Sequence, residues 1–241
     1  MNMSNLRSAA LALALLLAQA SGGVLAQAPK SDGEHEWISY RDAYRTMIWF
    51  EKYGKPKNLL LHHYQVQSHD KGAAIEGTQL LLAAKSVQLN LALDVTGRVV
   101  FPFLKAAYDE NAELVLNRKL SSVTLKGRVS IAARADGVYE AADLHTACEQ
   151  ALQFQHYAEP STLGDKKCVG VKFVYARKSA ATVQFRKNGS ELSNLPAGEG
   201  PAFWDDAGDL FRNVVYRFAA WPDKGQVLTP LAPIAISPLF D

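Results

Sequence analysis

Tyr108-Asp-Glu-Asn-Ala-Glu-Leu-Val-Leu-Asn117 is written a second time, in altered form, as Trp204-Asp-Asp-Ala-Gly-Asp-Leu-Phe-Arg-Asn213. An aromatic, two acids, a small residue, a third acid, Leu and a closing Asn recur without a gap. Two other features recur in the same order along the chain. Phe50-x-x-Tyr53-x-x-Pro56 returns as Phe154-x-x-Tyr157-x-x-Pro160, and a strand leading to a glycine turn at Asp94–Gly97 returns before Asn188-Gly189. The offsets of 96, 104 and 92 residues are domain-sized, too long for a solenoid. The reading that follows is a tandem duplication, with units at residues 37–136 and 137–241. Each unit is expected to pack one helix on an antiparallel sheet, an α+β arrangement.

The elements around these markers read as follows. Tyr40, Ala43, Tyr44, Met47 and Phe50 share one helical face, predicting a helix from about Ser39 to Tyr53 that ends at Gly54 and Pro56. Ser39 with Asp42 resembles a capping box. Strands are expected at Leu59–Val66, Gln79–Ala84 and Val87–Asp94, the last with clean apolar–polar alternation. Asp94-Val-Thr-Gly97 then predicts a hairpin back through Arg98–Phe101. A strand over 123–133 closes the first unit. In the second, a helix over 140–157, strands at 168–175 and 182–186, and an apolar stretch over 227–236 repeat the order. Gly198-Glu-Gly200 reads as a turn.

With 26 basic against 24 acidic residues, no broad cationic field exists to attract nucleic acid or anionic lipid. The N-terminus has the layout of a secretory signal peptide over residues 1–26: Arg7, the apolar run 9–17, then small residues ending in Val24-Leu-Ala26. Its apolar run is shorter than the roughly 20 residues a spanning helix needs, so no integral membrane segment is expected after cleavage. Residues 27–36 read as a flexible leader. The expected address is the periplasm or the exterior, where two cysteines, Cys148 and Cys168, would form a disulfide. The competing reading joins both thiols to zinc with His145 and His156, but that spacing fits none of the usual patterns.

The chemistry-bearing residues point away from catalysis. Asp109, Glu110 and Glu113, with Asp205, Asp206 and Asp209, are oxygen donors that calcium could use, but one turn offers too few. The alternative has Asp109 and Asp205 capping short helical turns. His62 and His63, with His69 nearby, sit on a predicted strand where adjacent side chains face opposite ways. At most one of them is expected to point inward. Nucleophile elbows, HExxH motifs, phosphate loops and dinucleotide fingerprints are absent from the sequence, and no cofactor is expected. Trp49, Trp204 and Trp221 are the aromatics with which a ligand could be held, against the alternative that they are core.

The Tyr40-x-x-x-Tyr44 helix start, the D-x-x-G turn at Asp94, Phe101-Pro102-Phe103 and the acidic motif together resemble a family of exported proteobacterial proteins with no assigned activity. That resemblance implies export and carries no catalytic residues. The expectation is therefore a non-catalytic binding or envelope-support protein whose partner is an envelope component. The alternative is a hydrolase acting on envelope glycan or peptide through carboxylates. It requires one copy of the repeated acids to lie in a deep cleft with perturbed pKa values.

Overall fold

Strand Ile38–Ser39 (β1) leads straight into helix Tyr40–Lys52 (α1), whose first residue donates its N–H to Ala112 O at 3.0 Å. This computed structural model describes residues 38–68, 75, 77–118, 120, 123–187, 191–206 and 210–241. The expected signal peptide and leader, Trp37, His69, Glu76, the Asn188-Gly189 turn and Asp209 lie outside them.

Tyr40, Ala43, Met47 and Phe50 are the buried face of α1, as the periodicity predicts. Ser39 makes no side-chain cap. Its place is taken by pairing of β1, which fixes the helix start from outside the helix. At the far end Lys57 Nζ donates to the carbonyls of Phe50, Glu51 and Tyr53, meeting the orphan acceptors of the last turn.

Then follow strands Leu60–Ser68 (β2), Gln79–Ala83 (β3), Gln88–Ala92 (β4) and Arg98–Val99 (β5), helix Lys105–Asp109 (α2), and strands Glu113–Leu116 (β6) and Val123–Ile131 (β7). They pair in two antiparallel sheets, β1-β6-β3-β4 and β5-β2-β7. The expected hairpin of β4 with β5 is not formed. β4 pairs with β3, while β5 crosses to β2 at Tyr64 and Gln65. Asp94 explains the difference: its carboxylate accepts the Thr96 and Arg98 N–H groups and the Thr96 hydroxyl, which turns the chain away. β4 is largely exposed on both faces, so its alternation overstates its burial.

The chain continues with Val138–Glu140 (β8), the long helix Ala141–Ala158 (α3), the short helix Pro160–Leu163 (α4), and strands Cys168–Tyr175 (β9), Gln184–Lys187 (β10), Glu191–Asn194 (β11), Ala197–Gly200 (β12), Phe211–Arg217 (β13), Gln226–Leu228 (β14) and Ala235–Phe240 (β15). Their sheets are β8-β14-β10-β11 and β12-β13-β9-β15, again antiparallel. Gly198-Glu-Gly200 is thus a strand, and 227–236 is two strands separated by a loop. β12 is held by backbone bonds to β13, which no side-chain pattern announces.

The strand orders β1-β6-β3-β4 and β8-β14-β10-β11 match element for element. So do their registers: Ser39 lies opposite Glu113 and Glu140 opposite Gln226, and the Ala141 N–H bonds Gly225 O as the Tyr40 N–H bonds Ala112 O. The acidic motifs do not share this correspondence. The first spans α2 and β6, and the second leads into β13, which pairs β9 where β5 pairs β2.

All described residues belong to one compact unit. Its main core runs through both halves, from Phe50, Tyr53, Leu60, Val129 and Ile131 to Leu144, Ala147, Phe173, Tyr216 and Ile236. Phe50 meets Phe154 edge-on at 5.1 Å and Tyr53 meets Tyr157 at 5.1 Å, so the two copies of the aromatic motif touch each other. β7 lies against β15, and α3 covers both. Each fully buried large side chain in this core contributes about 1.5–3 kcal/mol. The Cys148–Cys168 disulfide ties α3 to β9 with a Cα–Cα distance of 6.0 Å.

Candidate functional site

The two acidic motifs serve different ends. In the first, Asp109 is the last residue of α2 and not its N-cap, because the helix begins four residues earlier at Lys105. Its side chain is 54% exposed and pairs with Lys105 one turn back. Glu110 accepts the Ser86 N–H at 2.9 Å, and hydrogen bonds from the Ser86 side chain and then its N–H hold the carboxyl below its ordinary value. Asn111 takes the left-handed conformation at φ 54°, which Asn tolerates, and turns the chain into β6. This copy is a helix-to-strand joint.

In the second copy Asp205 and Asp206 close over a polar sheet face. Odd-numbered residues of β2 and even-numbered residues of β7 share that face, bringing together His63, Gln65, Gln67, Lys126 and Arg128. The Arg128 side chain, 2% exposed, bonds Asp205 and reaches Asp206 at 2.6 Å. Its Nε donates to Gln65 Oε1, and its guanidinium lies 5.0 Å from the Phe203 ring centre. Lys126 pairs with Asp205, and the Gln65 and Gln67 amides donate to Asp206 at 3.1 and 2.6 Å. Asp206 also accepts the Phe203 N–H at 3.2 Å, so it caps its own turn, whereas Asp205 accepts no backbone N–H among the described residues. From β9, Lys172 Nζ donates to Pro201 O at 2.7 Å.

The electrostatics of this cluster are those of a fastener. Burial alone would raise the Asp205 pKa, but the charges and hydrogen bonds of Arg128 and Lys126 outweigh it and hold the carboxyl below its ordinary value. An ionised, doubly paired carboxylate has no proton to donate as a general acid. Burial depresses Lys172 to about 8, partly offset by Asp206 and Asp205. In the sequence Asp205, Asp206 and Arg128 are legible only as charges; nothing local marks Gln65 or Lys172 as their neighbours.

The more open feature is a cavity of about 290 Å³ between α1, β2 and the segment 100–103. Its apolar lining includes Met47, Phe50, Leu60, Phe101 and Phe103, and its polar lining is Glu51, His62 and His63. Leu61 is 46% exposed, Val100 61% and Phe103 49%. The ladder of β5 with β2 ends before Pro102, whose carbonyl accepts the Tyr40 hydroxyl at 2.5 Å.

His63 is buried and His62 half-buried, each under a cover of its own, which corrects the expectation that at most one points inward. The sheet is covered on both sides: His62 stacks on Phe50 at 5.2 Å under the helices, and His63 lies 5.6 Å from Phe203 under the acidic segment. Burial lowers His62 to about 4 and His63 well below its usual value, with Arg98, His62 and Arg128 adding to the latter. Both rings are neutral at neutral pH, and neither His63 nitrogen has a hydrogen-bond partner among the described residues. Tyr64, on the helix side, bonds Thr46 and Ala43 O, and burial pushes it up to about 12.

A shallower depression of about 380 Å³ lies beside α3, with His145, Glu149 and Asp223 in its lining. His145 faces Glu149 through Nε2 at 4.0 Å and Asp223 through Nδ1 at 3.9 Å, opposite nitrogens that do not converge on one point. Among the described residues no group of three His, Cys, Asp or Glu side chains could hold a metal ion. The zinc reading of the cysteines is replaced by their disulfide. Of the tryptophans, Trp49 is 49% exposed on α1. Trp204 and Trp221 are partly buried against the main core, on Phe240 and Phe185 respectively. No helix among the described residues is long and apolar enough to cross a membrane.

Comparison with protein-family models, with characterised proteins and with solved structures returns no match to this chain.

Proposed function

We infer that this is an exported, non-catalytic binding protein of the bacterial envelope, and that its ligand occupies the cavity beside β2. The observation that carries this reading is the cavity itself. Its walls are apolar, its rim exposes Leu61, Val100 and Phe103, and its histidines are neutral at neutral pH. Large apolar side chains gathered at the mouth of a concavity mark a binding surface more often than a catalytic one. The repeated acids on which the hydrolase reading rests are instead tied to Arg128 and Lys126, or exposed on α2. Export is supported by the signal-like N-terminus and is compatible with the disulfide.

The same reading takes the chain as a tandem duplication. Its support is the matched strand order and register of the two four-stranded sheets, together with the meeting of Phe50 with Phe154 and Tyr53 with Tyr157. Equivalent residues contact each other in this way across an isologous interface. On this account β12 is an addition to the second half, and β13 is a longer form of β5.

The test is saturable binding of N-phenylnaphthylamine, an apolar fluorescent probe, to the mature protein. Leu61→Lys and Phe103→Lys, at the rim, should each weaken it about ten-fold while leaving the thermal midpoint in place. Binding that is unchanged in both variants would place the probe elsewhere and remove the proposal.

A further inference from the structure

Among the described residues the edge of β2 that borders the cavity is incompletely paired, with the Leu60 N–H turned to Lys57 O at 3.0 Å. β5 meets β2 only at Tyr64 and Gln65, and the Val66 N–H bonds Gly97 O at 2.8 Å. Backbone groups alternate in direction along a strand, so the N–H and C=O of His62 point to the same side as those of Val66. There the ladder has ended, and the cavity begins. On the opposite edge β7 pairs without interruption, from Leu60 opposite Ile131 to Ser68 opposite Val123.

The second half shows what fits that edge. There β9 has β15 on one side, as β2 has β7, and on the other it has β13, paired continuously from Gly170 opposite Arg217 to Tyr175 opposite Arg212. β13 lies between β9 and β12, whereas β2 has only the two residues of β5 on that side. Resting on the reading of the cavity as the binding site, we propose that its ligand is an extended polypeptide that adds as a strand to the edge of β2 at Leu60–His63.

The chemistry of the strand follows from the walls. Residues directed to the helix side meet Met47 and Phe50, and those on the other side meet Leu61, so apolar side chains are required on both. Glu51 is the one carboxylate in the lining, and it forms no ion pair among the described residues. A basic residue at the matching end of the ligand complements it. The partner is therefore a short, apolar, basic segment, bound through its main chain with pockets for its side chains.

β13 itself supplies the probe, since Phe211-Arg-Asn-Val-Val-Tyr-Arg217 has this composition. The blocked heptapeptide is titrated into the mature protein, alone and in two N-methylated forms that each remove the N–H donors along one edge. A strand adding to β2 uses one edge. One N-methylated form should therefore bind at least about ten-fold more weakly and the other nearly as well as the parent, with the His62 amide gaining protection from hydrogen exchange. Equal binding of all three forms overturns the proposal. So does absence of peptide binding where the apolar probe still binds, which leaves the cavity reading intact. If neither binds, both readings fall. If His62 is instead protected by raising the concentration of the protein alone, with a dimer in sedimentation, the occupant is a second copy and the peptide proposal is wrong.

Discussion

Replacing Arg128 by Met tests whether the acidic segment is fastened as described. The guanidinium is nearly inaccessible and serves three side chains at once, Asp205, Asp206 and Gln65, while stacking on Phe203. Breaking a buried ion pair from one side costs about 3–5 kcal/mol, because the remaining charge is left uncompensated. Here each acid keeps a partner: Lys126 stays with Asp205, while Gln65, Gln67 and the Phe203 N–H stay with Asp206. Methionine also retains some contact with Phe203. The loss should therefore fall at the lower end, about 3 kcal/mol, or roughly 6–12 °C in thermal midpoint for a domain of this size. Urea unfolding followed by tryptophan fluorescence measures it. Adding Asp205→Asn and Asp206→Asn to Arg128→Met removes the stranded charges, so the triple variant should be about 1–3 kcal/mol more stable than the sum of its parts. A loss under about 1 kcal/mol in Arg128→Met, or strict additivity in the cycle, would refute the fastening.

The exported protein should have an intact mass corresponding to a chain that begins at Gln27 and takes up no alkylating agent until reduced; two reactive thiols beforehand would exclude the Cys148–Cys168 bond. Reduction should cost about 3 kcal/mol, from the chain entropy of the loop it closes. Stability should fall as pH drops from about 6.5 to about 4: the unfolded chain protonates His62 first, while the folded chain holds it neutral until its lowered pKa is reached. At about 1.4 kcal/mol per unit this amounts to as much as about 3 kcal/mol, and His62→Phe should flatten that part of the curve. Between about pH 8 and 9.5 the sign is the same, because the unfolded chain still holds the proton that folded Lys172 has begun to release. Stability should rise with pH there and do so less in Lys172→Met. Gly97→Ala should lower the urea midpoint by about 1–3 kcal/mol of stability, since φ is +78° and a Cβ would sit 2.4 Å from Val66 O; an unchanged midpoint would show that the turn adapts.

The elements with strong local periodicity are legible in the amino-acid pattern alone. Tyr40, Ala43, Met47 and Phe50 announce α1, and β2, β7 and β9 lie close to where their apolar runs place them. What the residues do not announce is which neighbour each will meet. Lys126, Arg128 and Ser130 alternate with apolar residues as a wet face would, yet Arg128 and Ser130 are buried, the former under the segment before β13. The two acidic motifs look alike because the pattern records residue type, whereas their roles are set by what lies opposite: Lys105 in one case, Arg128 and Lys126 in the other. β12 is invisible to such a pattern because Ala197-Gly-Glu-Gly200 contributes backbone and almost no side chain. The cavity beside β2 depends on where a ladder ends between segments more than thirty residues apart in the chain.

The placement of β15 governs when this molecule can fold. Its residues 235–240 pair along β9, lie against β7 and are packed beneath α3, so a strand that joins both halves is made after every other element described above. Whether the chain emerges from a ribosome or is threaded across a membrane, its first half cannot complete its packing early, because Val129 and Ile131 belong to a core that also needs Ile236 and Phe240. Until those residues arrive the chain is held open, and it then closes in one late, cooperative step dominated by contacts distant in sequence.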